Sequence, residues 1–504
     1  MLTRLKVTGF KNLVDVDVRF GPFTCVAGPN GVGKSNLFDA IRFLSALADR
    51  PLIEAALSVR ESRNRTADVR SLFHRVGDTY AKEMSFEAEM IVPQKAWDDL
   101  GQEAKARITF LRYSLTLAYR EGESRLSQGS LELLKEQLVH INIGEAGKHL
   151  VFPHSVKSWR GSAVVGRRAG KEFISTEREG GKLSIRRHQD GSGGIPLARP
   201  AKDLPRTVLS VSNAAESPTA LVARREMQSW RLLQLEPSAL RQPDNFEAST
   251  RLGADGSHLA ATLYRLARSI EGSGNNSKTQ EENSGKIYAQ VANRLAGLID
   301  DVDELSVERD EKRELLTLYV KNKDKTSHPA RALSDGTLRF LALAVLELDP
   351  EAQGLLCLEE PENGIHPERI PAMLKLLQDI AIDVDEPIGQ DNPLRQVIIN
   401  THSPAVVGQV PDDSLLIAEL KEMVHSSGKR FKRACFSCLP DTWRAKTSEE
   451  VNIVSKGKLF AYLNPILPEA TESNVSERKD GFTRTRRVVD RPDLQLLIQE
   501  QGWA

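Results

Sequence analysis

Valine alternates with aspartate in Val14-Asp15-Val16-Asp17-Val18, the period-two signature of a strand with one wet face. It closes a predicted hairpin whose first arm is Arg4 to Thr8 and whose turn is Gly9-Phe10-Lys11-Asn12. Phe23 to Ala27 is a short unbroken apolar run, the pattern of a strand buried on both faces. Leu37, Ile41, Leu44 and Leu47 then recur at helical spacing until Pro51 ends the run. Further strands are predicted at Ser85 to Val92 and Ile108 to Tyr119, and the signals weaken from about 120 to 210. Ser257 to Ile270 has the pattern of a capped helix, and Glu271 to Lys286 reads as a polar linker expected to be disordered. Leu305-Ser306-Val307 and Leu315 to Val320 form a predicted hairpin around the charged tip Arg309 to Arg313. No heptad register and no internal repeat persists, so any coiled-coil arm is short.

Between the buried strand and the helix lies Gly28-Pro29-Asn30-Gly31-Val32-Gly33-Lys34-Ser35, a full match to the phosphate-loop pattern. Glycines let backbone N–H groups close around phosphate oxygens at a helix N-terminus. Lys34 adds a point charge for the β- and γ-phosphates, and the Ser35 hydroxyl can ligate Mg²⁺. The strand-loop-helix context therefore implies binding of a nucleoside triphosphate.

Composition narrows the partners. Lys plus Arg equals Asp plus Glu at 69 each over 504 residues, so any nucleic-acid surface must be a local patch. The stretch from Lys157 to Arg206, with 12 Lys/Arg against 5 Asp/Glu, is one candidate, although without interleaved aromatics it reads better as a solvated surface. Arg478 to Arg491 is the other. Four cysteines, two of them in predicted buried strands, suit a reducing compartment. No apolar run approaches the roughly 20 residues needed to span a bilayer, and nothing resembling a signal peptide precedes Thr3; the expectation is a soluble, cytoplasmic protein without a membrane partner. Cys435 and Cys438 supply two of the four ligands of a structural zinc, with His425 the nearest histidine, so an ordinary core role is the better reading and a zinc shared across a dimer the alternative.

Three motifs follow about 300 residues after the phosphate loop. Leu333-Ser334-Asp335-Gly336-Thr337 opens a helix with Leu338, Leu341, Ala342 and Val345 on one face, a turn rich in N–H groups. Gly354 to Leu358 is a strand-like run ending in Glu359-Glu360-Pro361-Glu362, where carboxylates are costly unless they hold a metal or a water. Val397 to Ile399 is another buried strand, followed by Asn400-Thr401-His402-Ser403-Pro404. Each piece alone has an ordinary reading as a helix cap, a solvated acid pair or a surface histidine; their order and spacing do not.

In that order the run resembles the signature, Walker B, D-loop and H-loop series of ABC-type ATPases. With Gly9-Phe10-Lys11-Asn12 in front it is similar to their SMC, RecF and OLD branch. The likeness covers roughly residues 1 to 50 and 330 to 420. Leu252-Gly253-Ala254-Asp255-Gly256-Ser257-His258-Leu259 also resembles a segment of RecF-like predicted ATPases. The resemblance implies an α/β fold, an ATPase head with a mixed and largely parallel sheet flanked by helices, interrupted by a central insertion. The implied division is 1–120 and 301–420 for the two parts of the head, 121–300 for an insertion of helices and strands, and 421–504 for a C-terminal extension.

By the same resemblance ATP is held by Gly28 to Ser35 with Asn36, and Lys11 and Asn12 lie near it. Mg²⁺ is held by Ser35 and, through water, Glu359. Glu360 orients or deprotonates the attacking water, and His402 senses the γ-phosphate. Adjacent strand residues point to opposite faces, so Glu359 and Glu360 take different roles unless the strand bends between them. Ser334, Asp335 and Gly336 with the D-loop Asn363 to His366 complete the site of a second copy, which predicts a homodimer or a higher even-numbered oligomer. The glutamine loop of such ATPases is not located by the sequence, with Gln94 and Gln102 as candidates only. Glu359 and His366 stand where transporter ATPases more often carry aspartate, which points to the RecF and OLD side.

A 300-residue gap between the loop and the signature disfavours a transporter subunit. The stretch beyond His402 offers only scattered carboxylates such as Asp412, Asp413, Glu449 and Glu450, which disfavours a built-in nuclease. The favoured expectation is the ATPase of a bacterial anti-phage system, similar to Septu-type ATPases, gating a separate nuclease or toxin effector. The alternative is a RecF-like clamp on duplex DNA.

Overall fold

A computed structural model describes residues 1–59, 68–121, 129–170, 172–190, 197–202, 204–269, 277–299, 301–425, 428–447 and 451–463, all within one unit that ends at Leu463. The basic stretch Arg478 to Arg491 and the acids Glu449 and Glu450 lie outside the described residues.

Six strands form the central sheet in the order Arg231–Leu233, Gly354–Glu359, Arg395–Thr401, Phe23–Ala27, Leu415–Val424, Arg430–Cys438. The first five run parallel and the last is antiparallel to its neighbour. Period-two alternation sorts its side chains onto two faces. Val26, Leu355, Cys357, Ile398 and Leu416 join one apolar core, while Cys25, Leu356, Leu358, Ile399 and Ile417 join another that includes the helix Asp335–Leu348. Both faces are covered, which is why the sequence shows unbroken apolar runs in these strands.

The first core is closed by an eight-stranded antiparallel sheet, in which Glu83–Ile91 lies between Leu2–Phe10 and Phe110–Arg120. Its strands run across the expected division of the chain. The boundary at 120 falls between Phe110–Arg120 and Ser130–His140, which pair from Arg120 with Ser130 to Leu111 with His140. Three more strands between Ile174 and Pro200 continue the same sheet, and Arg231–Leu233, inside the expected insertion, belongs to the central sheet. The alternation in Ser130–His140 (Leu131, Leu133 and Leu138 buried) was present in the sequence but diluted by the Gly, Ser and Arg around it. Of the expected linker, 271–276 lie outside the described residues and the rest is corrected, since Ser277–Ala296 is a helix whose Ile287, Val291 and Leu295 enter the second core. The hairpin Val302–Asp310 with Leu315–Asn322 stands as the sequence pattern predicts.

Candidate functional site

Parallel register brings the carboxyl ends of four strands to one edge of the central sheet. Leu233 pairs with Leu358, Glu359 with Asn400, and Thr401 with Ala27. Whatever follows each strand must therefore meet there, the position at which open α/β sheets bind ligands. A cleft of about 520 Å³ opens at this edge, lined by Asn30, Gly31, Gly33, Lys34 and Ser35 of the phosphate loop and by Asn36. Gln234, Arg339, Glu359, Glu360, Asn363 and Asn400 line it too.

The phosphate loop owes its shape to two close approaches. A Cβ on Gly28 would sit 2.5 Å from the Ala418 carbonyl oxygen, and one on Gly33, at φ 109°, would sit 2.6 Å from the Asn12 side chain. Asn12 braces the loop from behind, donating to the Val32 carbonyl at 3.2 Å and accepting from Asn36 at 2.8 Å. Gly33 precedes the helix Lys34–Leu47 without a side-chain cap, so the first-turn N–H groups stay available to an anion. The Lys34 ammonium is folded onto the Gly28 and Pro29 carbonyls at 2.6 and 2.9 Å. Burial lowers its pKa against the pull of Glu360, Glu359 and Glu362.

Lys11 is 8 % exposed, is ion-paired with Asp39 of the loop helix and does not line the cleft. Its backbone adopts φ 48° at the hairpin turn, which directs its side chain toward that helix.

The strand does bend between the two glutamates. Glu360 has φ 45°, a left-handed conformation that costs a non-glycine residue about 1–3 kcal/mol and marks functional positions. Its amide donates to the Asn400 backbone carbonyl at 3.0 Å, holding the turn against the neighbouring strand end. The bend separates the carboxylates: Glu359 accepts from Asn400 Nδ2 at 3.2 Å, and Glu360 meets His402 Nδ1 at 2.6 Å and Asn363 Nδ2 at 3.0 Å. Burial alone would raise the Glu360 carboxyl, yet the bonds from Asn363 and His402 and the Lys34 charge hold it below the usual range. Ser35 and Glu359 form an oxygen-only donor pair facing one cleft, which fits a hard divalent cation.

Ser334 caps the signature helix, accepting from the Thr337 amide at 3.2 Å. Asp335 is clamped by Arg241 at 2.5 Å. A Cβ on Gly336 would lie 2.2 Å from the Gly364 carbonyl, so the signature turn and the D-loop of one chain pack against each other. Ser334, Asp335, Gly336 and His366 do not line their own chain's cleft, whereas Asn363 does. The His366 side chain is 70 % exposed.

Neither Gln94 nor Gln102 lines the cleft; Gln94 donates to the Ser162 carbonyl and the Gln102 amide to Asp98. Gln234 does, at the end of the strand beside Glu359's. The signal was Leu232-Leu233-Gln234, an apolar run too short to stand out. Its loop is propped from outside, since Gln234 and Glu236 donate to the carbonyls of Ala254 and Asp255 in the Leu252-to-Leu259 segment. Arg339, also missed, ties that loop to the D-loop, donating to the carbonyls of Leu235 at 3.0 Å and Asn363 at 2.5 Å.

Several arginines of the basic stretch serve structure: Arg168 stacks over Phe173, Arg186 pairs with Glu177 and Arg187 with Glu216. Cys435 and Cys438 are buried three residues apart on one strand, so their side chains leave opposite faces and cannot share an ion within one chain. Asp413 is used by Trp443, whose amide it accepts. Among the described residues no group of three or more His, Cys, Asp or Glu is placed to hold a metal, and no helix is long and apolar enough to cross a membrane.

Comparison with known proteins places this geometry. Residues 23–95 and 159–408 match the family described as "AAA domain, putative AbiEii toxin, Type IV TA system". A 41-residue stretch is 49 % identical to an OLD nuclease of Thermus scotoductus, covering 8 % of each chain. Over 89 residues the sequence is 34 % identical to the DNA replication and repair protein RecF of Magnetococcus marinus, 18 % of this chain and 22 % of that one. The matches thus span less than a quarter of either relative's length. Among solved structures, an Smc head bound to the C-winged helix domain of ScpA aligns with 86 % of this chain and 97 % of that chain at 13 % identity, with a TM-score of 0.42.

Proposed function

Given that the chain belongs to the AAA-domain family whose model it matches over more than half its length, we propose that it binds Mg-ATP in the cleft and hydrolyses it between paired copies. The observation that carries this reading is the meeting at one sheet edge of Lys34, Ser35, Glu359 and Glu360, with His402 seated on Glu360. Lys34 and the loop amides bind the β- and γ-phosphates. Ser35 and Glu359 would hold Mg²⁺, which would supply positive charge to offset that of the phosphoryl group. Glu360, kept ionised by its neighbours, orients or deprotonates the attacking water, and His402 fixes Glu360 and contacts the γ-phosphate. Gln234 serves as the glutamine of the loop that senses metal and nucleotide. Ser334, Asp335, Gly336 and His366, which do not line their own cleft, complete the site of the second copy.

For the biological role, the toxin named in the family description favours an ATPase that gates a nuclease or toxin effector in anti-phage defence. The RecF match favours a second reading, a clamp on duplex DNA. The test is ATP turnover by wild type and by Lys34→Ala, Glu360→Gln and Ser334→Arg. Turnover lost in all three, with ATP still bound by the last two, supports the reading; turnover unchanged in Glu360→Gln sinks it. Binding to a DNA duplex that weakens steeply with salt would select the clamp.

A further inference from the structure

Glu362 lies two residues beyond Glu360, and no role given above uses it. Its side chain is 7 % exposed, a costly place for a carboxyl group that packing alone would fill with an apolar residue. One of its oxygens accepts the Thr401 hydroxyl, and Oε2 is buried without a partner. The same Thr401 oxygen accepts the Ser403 amide at 2.9 Å. His402 is the residue between them, so a single hydroxyl held by Glu362 brackets the histidine's backbone on both sides. At the far end of that histidine stands the 2.6 Å contact with Glu360.

We propose that Glu362 is a positioning residue: through Thr401 it fixes the turn that carries His402 and so sets the His402 to Glu360 contact. The proposal rests on the hydrolysis reading for its kinetic consequence, but not for its structural one. Glu359, Glu360 and Glu362 each engage a different residue of Asn400 to His402, namely Asn400, His402 and Thr401. The Walker B turn and the histidine loop are thereby matched residue by residue, and loss of the Glu362 link should free the loop without disturbing the phosphate loop.

The experiment compares Glu362→Leu, Glu362→Gln and Thr401→Val in the full chain by ATP turnover, binding of a fluorescent ATP analogue, and hydrogen exchange at the Ser403 amide. Glu362→Leu should lower kcat roughly 10- to 100-fold while analogue affinity stays within about threefold, since a misplaced group impairs chemistry more than binding. Exchange at Ser403 should accelerate. Thr401→Val should reproduce both effects, and the double variant should be no worse than either single one. Glu362→Gln, whose amide oxygen can accept the same hydroxyl, should restore turnover and protection. Wild-type kcat and Ser403 exchange in Glu362→Leu would overturn the proposal, as would equal damage in Glu362→Gln and Glu362→Leu. If Glu362→Leu does not fold, Thr401→Val behaving as wild type in both measurements overturns it. If the wild type hydrolyses no ATP, the hydrolysis reading fails alone and Ser403 exchange still decides.

Discussion

His402 Nδ1 and Glu360 Oε1 stand 2.6 Å apart although 42 residues separate them in sequence. The contact exists because two parallel strands end in register and Glu360 turns through a left-handed conformation to face its neighbour. Glu360→Gln should therefore lower turnover by roughly 100-fold or more while ATP remains bound, and His402→Ala by roughly 10- to 100-fold. Single-turnover kinetics with labelled ATP, alongside equilibrium binding, separates the two effects.

Gly33→Ala should damage the loop twice, through its φ of 109° and through a Cβ 2.6 Å from Asn12. A destabilisation of about 1–3 kcal/mol is expected from the backbone alone, with ATP affinity lost. Asn12→Ala removes the brace without the strain, so it should weaken ATP binding with a smaller change in melting temperature. Thermal melts with and without ATP distinguish them.

The proposed completion of each site by a second copy predicts complementation. Ser334→Arg spoils the signature turn but keeps a working phosphate loop, and Lys34→Ala has the reverse defect. Each should be inactive alone, and an equimolar mixture should regain turnover at one composite site. A mixture as inactive as its components would exclude a shared site.

Acid should weaken the fold through Glu89, which is wholly buried beside His149 at 3.0 Å and Arg112 at 2.8 Å. Burial works against its charge, but His149 and Arg112 outweigh it and lower the carboxyl from 4.5 to about 2. A carboxylate with a depressed folded pKa stabilises above its unfolded value and loses that contribution as pH falls toward the folded one. About 3 kcal/mol should therefore disappear between about pH 4.5 and 2. Glu89→Gln should lower stability at neutral pH and flatten this part of the curve, as read by urea unfolding across the range.

What the sequence disclosed follows from how each part is encoded. The phosphate loop, the two glutamates and His402 sit in contiguous runs whose flanks are buried on both faces, so periodicity and chemistry coincide there. Gln234 was hidden because its strand has only three residues and pairs in register with residues 125 positions away, Arg231 with Leu356 and Leu233 with Leu358. Glu362 and Arg339 were illegible for another reason: their partners, Thr401 and the carbonyls of Leu235 and Asn363, are set by tertiary packing and carry no local pattern. The Lys11 ion pair with Asp39 was equally illegible, because a charged residue in a turn gives no hint of its partner.

The glycine-to-glycine contact between Gly336 and Gly364 leaves no clearance between the segment that would meet a neighbour's triphosphate and the one that would cross beside it. Those two pieces must travel as one wedge. A side chain as small as alanine's at position 336 would pry them apart, so tolerance for mutation there should be near zero even in a molecule that never contacts its twin.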